Sequence, residues 1–147
     1  MNKFHLVVLS LMSSIVLAAS GCQTGDSGSD PFANEQGRQR EFIAQAAQAT
    51  FPEGDGEASQ VVAIVRGENM MLANTSSTPY NDVSIWVNGN YVRRIPTIPP
   101  NGQVPLSLSS FYDKQGTRLT DFTANVNTVQ FASGDTLYNA QGPVEMR

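Results

Sequence analysis

From Ser59 onward the apolar residues come in short runs broken by turn residues, and none of them recurs at helical spacing. A chain with that pattern is confined to strands. Val61-Val62-Ala63-Ile64-Val65 is a nearly continuous β-forming run, and Met70-Met71-Leu72-Ala73 is a second. Asp82 to Val87 alternates, with Val83, Ile85 and Val87 on one face. Asn88-Gly89 follows, and both residues tolerate the positive φ of a type I′ turn, so Tyr91 to Ile95 is expected to return antiparallel. Pro99-Pro100-Asn101-Gly102 is another turn, ahead of Val104 to Leu108, where Pro105 suits an edge strand or a bulge. Asp113-Lys114-Gln115-Gly116 turns into a strand expected over Thr117 to Phe122. Val126 to Ala132 and a short run near Leu137-Tyr138 complete the set.

Roughly seven or eight short strands at this turn spacing predict an all-β fold. The expected architecture is a small antiparallel β-sandwich over residues 59–147, and a small β-barrel is the alternative. It resembles immunoglobulin and fibronectin type III domains in architecture only, because the Cys-Trp-Cys framework of antibody domains is absent.

The region before it reads differently. Gln23 to Asn34 is rich in Gly, Ser, Asp and Thr and has almost nothing to bury, which is the composition of a tether. A short helix is expected at about 34–50, with Phe42, Ile43, Ala46, Ala47 and Ala49 as a thin apolar stripe and Phe51-Pro52 as its stop. That stripe suits a helix resting on its own domain, or one docking on a partner or the membrane surface. Glu53-Gly54-Asp55-Gly56-Glu57 has alternate acids that suggest oxygen ligation of Ca²⁺, but it lacks the EF-hand spacing and reads as a solvated linker.

Composition removes whole classes of chemistry. The sole histidine, His5, lies in the apolar leader described below, and Cys22 is the sole cysteine. Without an imidazole the processed chain has no Ser-His-Asp or Cys-His nucleophile and no Cys/His zinc or haem site. No cofactor and no metal are expected. Past the leader, eight basic residues against thirteen acids give a formal charge of −5, which is not the footprint of a nucleic-acid binder.

Two constellations invite a functional reading. A two-residue loop at Asn88-Gly89 would set Trp86 opposite Tyr91 and Ser84 opposite Arg93, placing Trp86, Tyr91 and Arg93 on one face. Exposed, that face is an aromatic platform for a glycan or a partner protein; covered by the helix, it is packing. Phe111-Tyr112-Asp113 and Asp121-Phe122 set acids beside aromatics, as in a two-carboxylate glycosidase, yet both acids stand where turn residues are expected. No enzymatic activity is expected.

The leader says where such a chain belongs. Lys3 precedes an apolar stretch from Leu6 to Ala19, and Ala18-Ala19-Ser20-Gly21 runs up to Cys22. This resembles the lipobox signal of bacterial lipoproteins, with Ala19 where that family commonly has Leu. The resemblance implies a signal peptide over residues 1–21, acylation of Cys22, a lipidated segment over residues 22–58, and attachment to the membrane through that lipid. Gln23 in place of Asp resembles the outer-membrane class of such proteins, facing the periplasm. Ordinary secretion, with cleavage in Ala18-Ala19-Ser20, is the alternative. The expected function is a non-enzymatic, lipid-anchored cell-envelope protein presenting a small β domain to another envelope protein. The alternative is a glycan- or peptidoglycan-binding lipoprotein.

Overall fold

The computed structural model describes residues 31–120 and 126–145. Cys22, the leader, the tether, Asp121 and Phe122 lie outside the described residues. One helix, α1 (Pro31–Gln48), precedes seven strands: β1 (Glu57–Arg66), β2 (Asn69–Asn74), β3 (Tyr80–Val87), β4 (Tyr91–Ile98), β5 (Gln103–Ser107), β6 (Val129–Ser133) and β7 (Thr136–Glu145). The fold is all-β with one short helix, as the run-and-turn pattern requires.

The strands form a single sheet in the order β4-β3-β6-β7-β1-β2-β5. The alternation seen in the sequence sets its inner face. Val61, Ala63 and Val65 of β1, Met70 and Leu72 of β2, and Val83, Ile85 and Val87 of β3 are all buried together with Phe111 and Phe131. The sheet wraps around this core almost into a barrel, β2 approaching β4 while β4 and β5 remain edges. Pro105 sits on edge strand β5, where its missing N–H removes no ladder bond. Edge strand β4 is partly capped instead, since Val92 and Tyr112 exchange backbone hydrogen bonds at 2.9 and 3.2 Å.

Three details depart from the sequence reading. The sheet is mixed rather than antiparallel, because β1 runs parallel to β7 and joins the two halves of the expected sandwich into one. Side-chain alternation reports which face a residue occupies but not the direction of its neighbour. Here polar side chains stitch the irregular junction: Ser59 Oγ donates to the Asn139 carbonyl (2.8 Å), Asn139 Nδ2 to the Gly56 carbonyl (2.7 Å) and Gln141 Nε2 to the Ser59 carbonyl (2.8 Å). The final strand is also far longer than Leu137-Tyr138. Lastly, residues 117–120 form no strand. Arg118 makes only an isolated bridge with Tyr112, since Asp113 Oδ1 accepts from the amides of Gln115 (3.0 Å) and Thr117 (2.7 Å) and winds the chain into a tight turn.

A second buried side chain settles the purpose of another polar stretch. Asn74 is 2% exposed. Its Nδ2 donates to the carbonyls of Thr78 (2.8 Å) and Pro99 (3.1 Å), and its Oδ1 accepts from the Ser76 amide (3.0 Å) and hydroxyl (2.8 Å). One amide thus ties the β2–β3 loop to the β4–β5 turn.

Candidate functional site

The hairpin that carries Trp86 folds with the turn the sequence calls for and a register it does not. Asn88 (φ 54°) and Gly89 (φ 65°) both adopt positive φ, and the Asn90 amide donates to the Val87 carbonyl at 3.2 Å. Pairing resumes one residue later than a two-residue loop allows: Val87 faces Tyr91, Trp86 faces Val92 and Ile85 faces Arg93. The Asn88 side chain ties this three-residue loop to the neighbouring strand. Its Oδ1 accepts from the amides of Asn127 (2.8 Å) and Thr128 (3.1 Å), which fastens the turn to the approach to β6.

A one-residue slip moves side chains to the opposite face. Tyr91 therefore packs half-buried against the main core, away from Trp86. Trp86 points outward beside Val92 and is 4% exposed, because α1 covers it. The Arg93 guanidinium lies 3.9 Å over the Phe42 ring of α1. The expected platform of Trp86, Tyr91 and Arg93 is thus not formed. The reading in which the helix covers the tryptophan describes the arrangement.

The helix docks through the stripe read in the sequence. Phe42, Ile43, Ala46 and Ala49 pack with Trp86, Val92 and Tyr112 in a cluster separate from the main core, while Ala47 faces solvent. Ala46 is fully buried; its small side chain allows the helix close to the indole. Ile43 lies against Gly116, where an added Cβ would stand 3.1 Å from its Cγ2. Past the helix, Lys114 Nζ sits 4.6 Å from the Phe51 ring centroid and holds the segment leading to β1.

Polar satisfaction breaks down at this seam. Among the described residues, the buried side-chain atoms without a hydrogen-bond partner are Gln45 Oε1, Trp86 Nε1 and Arg93 Nε, and all three lie between α1 and the sheet. Gln45 spends its amide NH₂ on Glu41 Oε1 at 3.1 Å, leaving its carbonyl buried and free. Burial lowers the pKa of the Arg93 guanidinium; Glu41 opposes that shift and Arg38 adds to it. Arginine nevertheless remains charged at neutral pH.

Two concavities flank the helix. The larger, about 780 Å³, runs along its C-terminal half. Trp86, Ala132 and Leu137 form its apolar floor, and Glu41, Glu53 and Asp135 outnumber Arg94 around it. The smaller, about 380 Å³, lies along the N-terminal half and carries Arg38, Arg93 and Arg118 against Glu35. Gln45, Arg94, Arg38 and Arg118 were not singled out from the sequence. Gln45 borders the apolar stripe, so the helical period could have placed it at the seam. The arginines converge from α1, β4 and the segment after Asp113, and no local pattern unites them. Asp113 spends Oδ1 on two backbone amides and belongs to a turn.

No protein-family model and no curated protein sequence matches this chain.

Proposed function

We propose that this is a lipid-anchored cell-envelope protein of non-enzymatic type, whose β domain binds another protein in the cleft beside α1. The observation that carries the reading is the Trp86 indole N–H, buried and without a partner among the described residues at the floor of a cleft about 780 Å³ in volume. A volume in the range of about 300–1,000 Å³, with an apolar floor and a few polar groups, is typical of binding sites. Gln45 Oε1 supplies an unused acceptor to match the indole donor. A peptide backbone offers the complementary carbonyl and amide side by side, and it enters when α1 moves outward. The surplus of carboxylates around the cleft favours a partner segment carrying a basic residue. Cys22, at the end of the leader, supplies the acylation site, and two or more acyl chains give stable attachment.

Crosslinking in the native cell followed by mass spectrometry tests the reading. The expected result is an envelope protein crosslinked to residues of α1 or the β6–β7 turn, and a Cys22→Ala chain released from the membrane fraction. Cell-wall glycan recovered in place of a protein would overturn the choice of partner. Undiminished membrane partition of Cys22→Ala would overturn the anchor.

A further inference from the structure

The smaller concavity has a charge opposite to that of the molecule around it. Past the leader the chain carries thirteen acids against eight bases, yet three of those bases, Arg38, Arg93 and Arg118, line one pocket whose only acid is Glu35. Arg93 is half-buried while Arg38 and Arg118 are exposed, so the cluster presents positive charge at the mouth of the pocket. Three separate elements supply these arginines. Arg38 comes from the N-terminal half of α1, Arg93 from edge strand β4, and Arg118 from the segment that bridges to Tyr112, itself bridged to Val92 next to Arg93.

The pocket also has a fixed floor. Tyr112 is 3% exposed, and Ser110 is buried with its hydroxyl donating to the Ser107 carbonyl. Arg93 is held in place by its stacking on Phe42, and its Nε–H lacks a partner among the described residues. A guanidinium fixed by stacking presents its remaining donors in a set direction. That pre-organisation suits bidentate recognition of a planar or tetrahedral oxyanion.

We infer that the pocket formed by Arg38, Arg93 and Arg118 binds a phosphate group. The three guanidinia outnumber the pocket's one carboxylate, Glu35, with Glu41 acting on Arg93 from outside the pocket, and the net positive charge favours a multiply charged oxyanion such as a phosphomonoester. The volume, about 380 Å³, admits a phosphate with a small substituent and is too small for a large ligand. Neighbouring serines, including the hydroxyl pair of Ser107 and Ser109 (2.7 Å apart), provide further donors at the rim. The phosphate group is either free in solution or borne by a lipid headgroup. This inference stands apart from the protein-binding cleft, which lies on the other flank of α1.

The test is calorimetric titration of the full-length Cys22→Ala chain with inorganic phosphate at constant ionic strength, beside sedimentation of the same protein with phosphatidic acid vesicles and with phosphatidylcholine vesicles. Arg38 and Arg118 are exposed, so Arg38→Gln and Arg118→Gln leave the fold intact. Arg66→Gln, on the β1–β2 hairpin, is the control for charge alone. The expected result is saturable binding of one phosphate per chain, weakened at least tenfold by either pocket variant and unchanged by Arg66→Gln. Binding of inorganic phosphate identifies a free phosphate as sufficient. Binding to phosphatidic acid vesicles alone, with the same dependence on Arg38 and Arg118, identifies a headgroup. Absence of both, or equal weakening by all three variants, overturns the inference.

Discussion

Replacing Trp86 by alanine and by phenylalanine separates the two properties that the seam gives this residue. A tryptophan buries roughly 150–250 Å², which at about 25 cal/mol per Å² corresponds to ~4–6 kcal/mol of transfer free energy. Trp86 is 4% exposed, so nearly all of that area is withdrawn from water. Alanine removes the ring, and α1 settles only partly into the space, so the expected loss is about 3–5 kcal/mol of unfolding free energy. Phenylalanine keeps most of the apolar contact and deletes an N–H that has no partner among the described residues. Leaving such a donor buried costs about 1–3 kcal/mol, and its removal offsets the smaller ring. Trp86→Phe should therefore fall within about 1 kcal/mol of the parent, the apolar loss and the polar relief being of similar size. Urea unfolding followed by far-ultraviolet circular dichroism measures both variants, with an unchanged slope confirming that the same surface is exposed. The reasoning is refuted if Trp86→Ala loses less than about 1 kcal/mol, or if Trp86→Phe is as damaging as Trp86→Ala. The second outcome would mean that the indole N–H is engaged in the folded protein.

Three further outcomes follow from the same structure. Asn74→Ala removes four hydrogen bonds of one buried amide and strands the Pro99 carbonyl, while the Thr78 carbonyl keeps the Ser76 hydroxyl, so urea unfolding should show a loss of about 2–4 kcal/mol. Gly142→Ala puts a Cβ 2.7 Å from the Ala63 carbonyl oxygen at a φ of +101°, and it should destabilise the chain by at least ~1–3 kcal/mol in the same assay. A chain shortened to residues 52–147 keeps the main core, which contains no residue of α1. It should retain a β-type circular dichroism spectrum while the emission of Trp86, the only tryptophan, shifts to the red; loss of the β spectrum would show that the helix is required for folding.

The positions of most strands were legible because each inner-facing set repeats at the period of a strand, as Val83, Ile85 and Val87 do. The helix was legible too, since its stripe of Phe42, Ile43, Ala46 and Ala49 is the one that docks. Register was not. Asn88-Gly89 specifies the turn, but the register has Val87 facing Tyr91 rather than Asn90, and Asn88 Oδ1 meets the amides of Asn127 and Thr128, about forty residues away in sequence. From that one-residue shift in register follows the separation of Trp86 from Tyr91. Parallel pairing of β1 with β7 was hidden for a related reason: it joins the first and last strands, and alternation carries no direction. The arginine pocket drew its members from three elements whose neighbourhood only the closed sheet creates.

The division of the apolar residues into two clusters bears on where function resides. The main core lies inside the curled sheet, and the buried side-chain polar atoms left without partners among the described residues all lie outside it. Each such atom opposes closure by about 1–3 kcal/mol, so α1 is held by a smaller margin than its apolar contacts alone suggest. Of the α1 residues in the docking cluster, Phe42, Ile43 and Ala46, the alanine contributes little area. A helix fastened in this way can shift outward while the sheet stays folded, because no residue of α1 belongs to the inner core. Opening exposes Trp86, Val92 and Tyr112, and it satisfies the indole N–H and the Gln45 carbonyl by giving them access to water or a partner. The helix that flanks the 780 Å³ cleft is thus held in part against unsatisfied polar atoms. A partner that supplies a carbonyl to Trp86 and an amide to Gln45 converts the unsatisfied seam into a satisfied interface.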